Sequence, residues 1–280
     1  MAGIIQASNI SGSLDAKNIV MGVLKKQLEI TNLAQICAQV QVPELNATIA
    51  VQSAMDGYED LGEWEFSEIE GGEFSNVDFA LKKDRVKVGV SDEAKYRSRA
   101  GDPLSLSKDA AAMRLASILD KKIVKALETA AQTAAAAKKW DTVTQNPLID
   151  LAKAVGKIAP YTADYVIMHP DVWAAFVAND YTSEFITGNP EKLNGVLTTV
   201  PGLNLKVFTN SNLTAKSAIV GCSGAPSVAL GNGPVEVREF DSDRGGRIYQ
   251  IDVFRQAVAP IFKNASDKNM AAYQLTAVIA

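Results

Sequence analysis

The side chains best suited to chemistry are few. The 280-residue sequence holds one histidine, His169, and two cysteines, Cys37 and Cys222. One imidazole excludes multi-histidine metal centres and histidine pairs, and any Ser/His/Asp relay would have to use His169. The nearest nucleophile motif is Gly221-Cys222-Ser223-Gly224-Ala225, but a G-x-S-x-G elbow requires glycine where Ala225 stands. Gly231-Asn232-Gly233-Pro234 lacks the Gly-Lys-Ser/Thr ending of a phosphate loop. The cysteines form no CxxC pair and read as two buried free thiols. His169 lies where an apolar run meets Pro170 and Asp171, which is the start of a helix. These residues therefore predict no catalytic site, no cofactor and no metal; a hydrolase built on Ser223 and His169 is the remote alternative.

The chemistry that remains is charge pairing. Residues 56–78 carry nine carboxylates and no Lys or Arg. Repulsion at that density predicts a solvated loop. The same stretch also holds Tyr58, Leu61, Trp64, Phe66, Ile69 and Phe74, and Glu63-Trp64-Glu65-Phe66 alternates like a strand with one apolar face. Such a face needs a partner. Just downstream, residues 82–99 contain Lys82, Lys83, Arg85, Lys87, Lys95, Arg97 and Arg99 against three acids, a local balance of +4. The expected inter-subunit contacts are Trp64, Phe66, Glu63, Glu65 and Glu68 on an extended arm, and Lys82, Lys83, Arg85, Arg97 and Arg99 as its receiver on another copy.

These groups need elements to position them. Residues 14–39 place Ile19, Val23, Ile30, Leu33 and Cys37 on one stripe of an amphipathic helix, which serves equally as a core helix or as an arm on a neighbour. NATIAVQSA and ALKKDRVKVGVSDE read as the two strands of an arm over residues 50–90. Asp102 and Pro103 open a long helix to residue 138, with Met113, Ala116, Leu119, Ile123, Leu127 and Ala130 on its apolar face. Short helices LIDLAKAVGKI and DVWAAFVAND then alternate with strands YVIMH, LKVFT, SAIVGC and SVALGN. Asn232-Gly233 predicts a tight hairpin between SVAL and VEVREF. IYQIDVFRQAVAPI and YQLTAVIA are the last strands. The class is α+β.

With 47% hydrophobic residues the chain can bury a substantial core. It has no apolar run of membrane-spanning length and no leader pattern, so no membrane association is expected. A formal charge of −4 argues against gripping nucleic acid.

The ordered combination of VKVGVSDEA before the long helix, YVIMHPDVWAAF, VPGLNLKVFTN, VALGNGPVEVREF and IYQIDVFRQAVAP resembles the major capsid proteins of tailed double-stranded DNA viruses, the Hong Kong 97 fold. The resemblance implies an N-terminal arm with helix (1–45), an extended loop (46–92), a peripheral domain with a spine helix (93–146) and an axial domain (147–244). A returning peripheral strand (245–262) and a C-terminal segment (263–280) follow. It implies self-assembly into hexamers and pentamers of an icosahedral shell that encloses double-stranded DNA without sequence-specific binding. Scaffolding, portal and decoration proteins are possible partners; the location is the virion capsid, made in the host cytoplasm. An encapsulin-type compartment of the same fold is the alternative. Residues 56–78 hold no lysine, so a lysine–asparagine crosslink from the loop is not expected. With about 45 residues before the loop, a separate scaffolding protein or none is expected.

Overall fold

The computed structural model describes residues 21–27, 33–42, 44–52, 74–90, 103–142, 145–187, 199–200, 202–241, 246–261 and 268–280. Its axis is one long helix, Pro103–Ala130, of 28 residues. At 1.5 Å per residue that is about 42 Å. Ala112, Leu115, Ala116, Leu119, Ile123 and Leu127 recur at three- and four-residue steps and are all buried. Met113, placed on that stripe from the sequence, is instead 58% exposed. The expected continuation to residue 138 also fails. Ala131–Ala135 is a strand, β5, paired in parallel with Asn269–Thr276 (β11). Alanine's helix preference is small per residue, and a sheet edge supplying backbone partners overrides it.

The helix ties two sheets together. Its first half packs Ala111, Ala112 and Leu115 on Val88, Tyr249, Ile251 and Val253. These belong to a four-stranded sheet in the order Ala38–Gln41 (β1), Ala229–Asp241 (β9), Arg247–Val258 (β10), Lys82–Val90 (β4). β1 and β9 are parallel; β10 is antiparallel to both β9 and β4. The second half packs Leu119, Ile123 and Leu127 against Tyr165, Ile167 and Ile219 of a five-stranded sheet. Its order is β5, β11, Ala218–Gly221 (β8), Tyr165–Met168 (β6), Lys206–Thr209 (β7). Strand β6 is buried on both faces, and its period of two divides the labour. Tyr165 and Ile167 meet the long helix's cluster, while Val166 and Met168 join Leu151, Val172 and Phe176 from helices Pro147–Lys157 and Pro170–Ala178.

Local signals explain these helix starts. The Asn146 side chain accepts from the Leu148 N–H at 3.0 Å with Pro147 at the first position. His169 Nδ1 accepts from the Asp171 N–H at 3.3 Å with Pro170 at the first position, the structural role expected for it. A further helix, Asp180–Thr187, has no counterpart in the sequence reading.

Three other expectations are corrected. Residues 21–27 are helical, but Leu33–Ile36 is a 3-10 turn and Ala38–Gln41 is β1, so no single helix runs to residue 39. Leu33, Ile36 and Cys37 still pack on the long helix; Ile19 and Ile30 lie outside the described residues. The two-stranded element is Asn46–Gln52 (β2) with Phe74–Ala80 (β3), while β4, assigned to the arm, belongs to the four-stranded sheet. Finally, Asn232-Gly233 makes no hairpin: β9 continues for 13 residues, with a shift of register against β10 at Gly233-Pro234, and the chain turns back only after Asp241. Among the described residues no helix is long and apolar enough to cross a membrane.

Candidate subunit interface

Strand β4 splits its charges by alternation. Lys82, Asp84, Val86 and Val88 face the long helix; Lys83, Arg85 and Lys87 face away. On the outward face Arg85 donates from Nε and Nη2 to the two Asp252 oxygens at 2.7 and 3.0 Å. Gln250 Nε2 donates to the same carboxylate at 3.0 Å. Lys83 Nζ lies 3.7 Å from Asp252 and 5.1 Å from the Phe254 ring centroid. Hydrogen bonding from Arg85 holds the Asp252 carboxyl below its usual range, and the same bond raises the guanidinium. Asp252 is covered by its own charged partners, which stay open to solvent, so this is a surface network and not a core ion pair.

On the helix-facing side Lys122 Nζ donates to Asp84 Oδ2 at 2.6 Å and to the Arg255 carbonyl at 2.8 Å. This clamp fixes the long helix to β4 and β10. The guanidinium of Arg255 takes no hydrogen bond or ion pair among the described residues; burial lowers its pKa and the charge of Asp84 pulls it back.

The β2–β3 ribbon stands on this sheet. Among the described residues its strands pair only with each other, from Asn46↔Ala80 at the foot to Gln52↔Phe74 at the far end. Val77 and Phe79 pack on Val42 and Ala229. The foot fits because β9 has glycine where it crosses. A Cβ on Gly231 would lie 2.6 Å from Phe79 Cδ1, and one on Gly233 2.4 Å from Leu81 Cδ1. Gly233, taken for part of a turn, and Gly231 therefore serve close approach. Gln256 Oε1 accepts from the Ala80 N–H, and Thr48 donates to Asp78 at 2.7 Å. Beyond the four residues paired with β1, the outer edge of β9 carries exposed Val235, Val237 and Phe240.

Of the contacts expected from the sequence, Lys82, Lys83 and Arg85 are thus described at the foot of the ribbon. Glu63, Trp64, Glu65, Phe66, Glu68, Arg97 and Arg99, and the cap Asp102, lie outside the described residues. Sequence reasoning missed Asp252, Lys122 and Arg255. The available signal was a carboxylate and a guanidinium inside the otherwise apolar IYQIDVFRQAV strand.

The residues weighed for catalysis have other partners. The Ser223 N–H donates to Asp164 Oδ1 at 2.8 Å and its hydroxyl donates to the second oxygen. Cys37 and Cys222 are buried and free, and burial raises their thiols to about 12 and about 11. Among the described residues no three His, Cys, Asp or Glu side chains gather as a metal site.

Several solved structures share the fold. A virus-like particle from Pyrococcus furiosus superposes with a TM-score of 0.65 at 11% identity, over 92% of this chain and 98% of that one. The capsid of cyanophage P-SCSP1u gives 0.61 at 11%, over 89% of each. The holo-SrpI encapsulin complex from Synechococcus elongatus PCC 7942 gives 0.61 at 12%, over 88% and 86%. No curated protein matches the sequence. A family described as phage capsid protein matches residues 77–268, well over half of the chain, and the fold is the α+β Hong Kong 97 fold. The chain belongs to the phage capsid protein family.

Proposed function

We propose that this capsid subunit assembles into hexamers and pentamers of an icosahedral shell around double-stranded DNA, contributing structure and no catalysis. The observation that carries the reading is the β2–β3 ribbon. It is an antiparallel pair that no third strand joins among the described residues, projecting from a sheet whose fold is that of capsid subunits. The four-stranded sheet with the long helix acts as the peripheral part, which takes β9 out of the expected axial stretch 147–244, and the five-stranded sheet acts as the axial part, which gains β5 and β11 from the stretches before and after it. Residues 53–73, at the end of the ribbon, reach a neighbouring copy, with Trp64 and Phe66 as its apolar anchors. Interfaces of this kind gain from area and shape, since one exposed ion pair contributes only about 0–1 kcal/mol. Synthesis in the host cytoplasm and contact with scaffolding, portal and decoration proteins belong to the same reading.

A shell holding protein cargo is the second reading, favoured by the likeness to an encapsulin complex. Electron microscopy of particles made by the purified chain, with assay of nucleic acid in particles recovered from cells, separates the two. Closed polyhedral shells containing DNA support the first; shells containing only protein support the second; soluble monomers at all concentrations refute both. Trp64→Ala should leave the subunit folded and abolish particles.

A further inference from the structure

The long helix carries its charges in two sets. Its three acids are held by other parts of the chain: Asp109 pairs with Lys26 Nζ at 2.6 Å, Glu128 accepts from the Thr214 N–H at 2.6 Å, and Asp120 accepts from the Leu33 backbone and Asn210. The cations Arg114, Lys121 and Lys125 are exposed, and none has an ion-pair partner among the described residues. Steps of seven and four residues put all three on one stripe, about 16 Å long. The stripe ends at a cleft of about 300 Å³ between the helix and β10, lined by Lys125 itself with Lys82, Lys122 and Arg255. Lys122 is taken by Asp84 at 2.6 Å. Lys82 lies opposite Arg255 in the strand register, and neither has an ion-pair partner among the described residues. Stripe and cleft thus make one basic face. Like charges so placed repel, and the half-buried Arg255 guanidinium without an acceptor is a cost to the subunit alone.

We propose that this face binds the phosphate backbone of the enclosed double-stranded DNA, and so is turned to the inside of the shell. The inference rests on the shell reading and names the surface through which the shell meets its contents. A duplex carries one charge per about 1.7 Å of its axis, about ten along the stripe, so each cation finds a phosphate whatever the sequence. In the cleft Arg255 suits a phosphodiester: a guanidinium donates to both non-bridging oxygens at once, with Lys82 and Lys125 as point charges beside it. The formal charge of −4 is a sum over the chain and does not describe this face. An acidic protein segment would meet the same charges, but the helix offers it no anchor. It has no aromatic residue; Ser117 is exposed between the cations, and Met113 stands a quarter-turn to the side. Protein interfaces draw their affinity from buried aromatic and apolar anchors, whereas non-specific backbone binding needs only charge.

The test uses the full chain. Titration of the unassembled subunit with a short labelled duplex, followed by fluorescence anisotropy, should give log K falling against log salt with a slope of about −4 to −5 for five contacts. Arg114→Gln, Lys121→Gln and Lys125→Gln together should make that slope shallower by between about two and three, with melting temperature and particle yield unchanged. Lys121→Arg with Lys125→Arg should keep it. A slope near zero for the unaltered chain overturns the proposal even where the triple variant fails to fold. In particles, acetylation of lysines read by mass spectrometry locates the face. Lys121 and Lys125 should react several-fold less in DNA-filled particles than in emptied ones, while the exposed Lys153 and Lys157 of helix Pro147–Lys157 react equally in both. Equal reaction of Lys121 and Lys125 in both would overturn the proposal and leave the shell reading intact. Protection in filled and emptied particles alike would assign the face to a protein contact and overturn it as well. Absence of particles, or particles without nucleic acid, would instead refute the shell reading, with the duplex titration still deciding whether this face binds phosphate.

Discussion

Gly231→Ala should unseat the ribbon, and the structure gives the size and cause of the effect. The added Cβ would sit 2.6 and 3.0 Å from Phe79 Cδ1 and Cε1 and 3.3 Å from Leu81 Cδ2. Phe79 is 2% exposed and enclosed with Val42, Val77 and Ala229, so its ring cannot swing away without displacing them. Forcing a methyl group into such packing costs about 1–3 kcal/mol. Phe79→Ala alone, by emptying the site, costs about 3–5 kcal/mol. Once the ring is gone the methyl has room, and alanine regains the roughly 0.5–1 kcal/mol by which glycine weakens a strand. The double variant should therefore cost no more than Phe79→Ala alone, with a coupling of about 1–3 kcal/mol. Urea unfolding of the unassembled subunits measures this, at an unchanged slope. If the two single costs add to within about 0.5 kcal/mol, the glycine is not there for the ring.

Other outcomes follow from equally local features. The Tyr165 hydroxyl meets Ser227 Oγ at 2.7 Å inside the core, so Tyr165→Phe should cost about 1–3 kcal/mol in thermal unfolding. Asp252 has a lowered folded pKa, so its stabilisation is complete above the unfolded value of about 3.9 and disappears as pH falls through the lower folded value. Asp252→Asn should erase that part of an acid titration, and an unchanged acid limb would contradict it. Asp120 behaves oppositely. Burial raises it to about 6, against hydrogen bonds from the Leu33 backbone and Asn210, and its Oδ1 has no partner. Stability should then decline as pH rises from about 4 to about 6, and Asp120→Asn should flatten that decline. Replacing Ser223 or His169 by Ala should leave any hydrolysis in a preparation unchanged; its loss would reopen the enzymatic alternative.

Legibility from sequence divided along a physical line. The long helix was readable because one periodicity persists over several turns, and β6 and β10 because each is a run rich in β-branched and aromatic residues. The failures occur where a distant partner decides. Ala131–Ala135 is alanine-rich and becomes a strand because β11 offers a paired edge 138 residues later, at the Ala131↔Asn269 register. Asn232-Gly233 carries the local signature of a turn, but Asn232 is paired with Gln41 of β1 and Arg255 of β10, Gly233 falls in the register shift that follows, and Leu81 occupies the space that glycine leaves. At the interface the basic character of β4 was plain, yet its division into one set held by Asp252 and another facing the helix depends on pairing with β10. Arg255 showed in the sequence only as a cation within a mostly apolar strand. Its significance comes from Lys82 opposite it and the long helix above it.

The strand order also bears on when a subunit becomes able to assemble. β4, complete by residue 90, waits for Arg247–Val258, and β5 waits for Asn269–Thr276. A ribosome-bound chain synthesised only as far as β9 has neither sheet closed, because β10 and β11 do not yet exist. Pairings of such sequence separation also form slowly. Competence to join a lattice therefore waits on the end of translation, because the strands that close both sheets are the last to leave the ribosome.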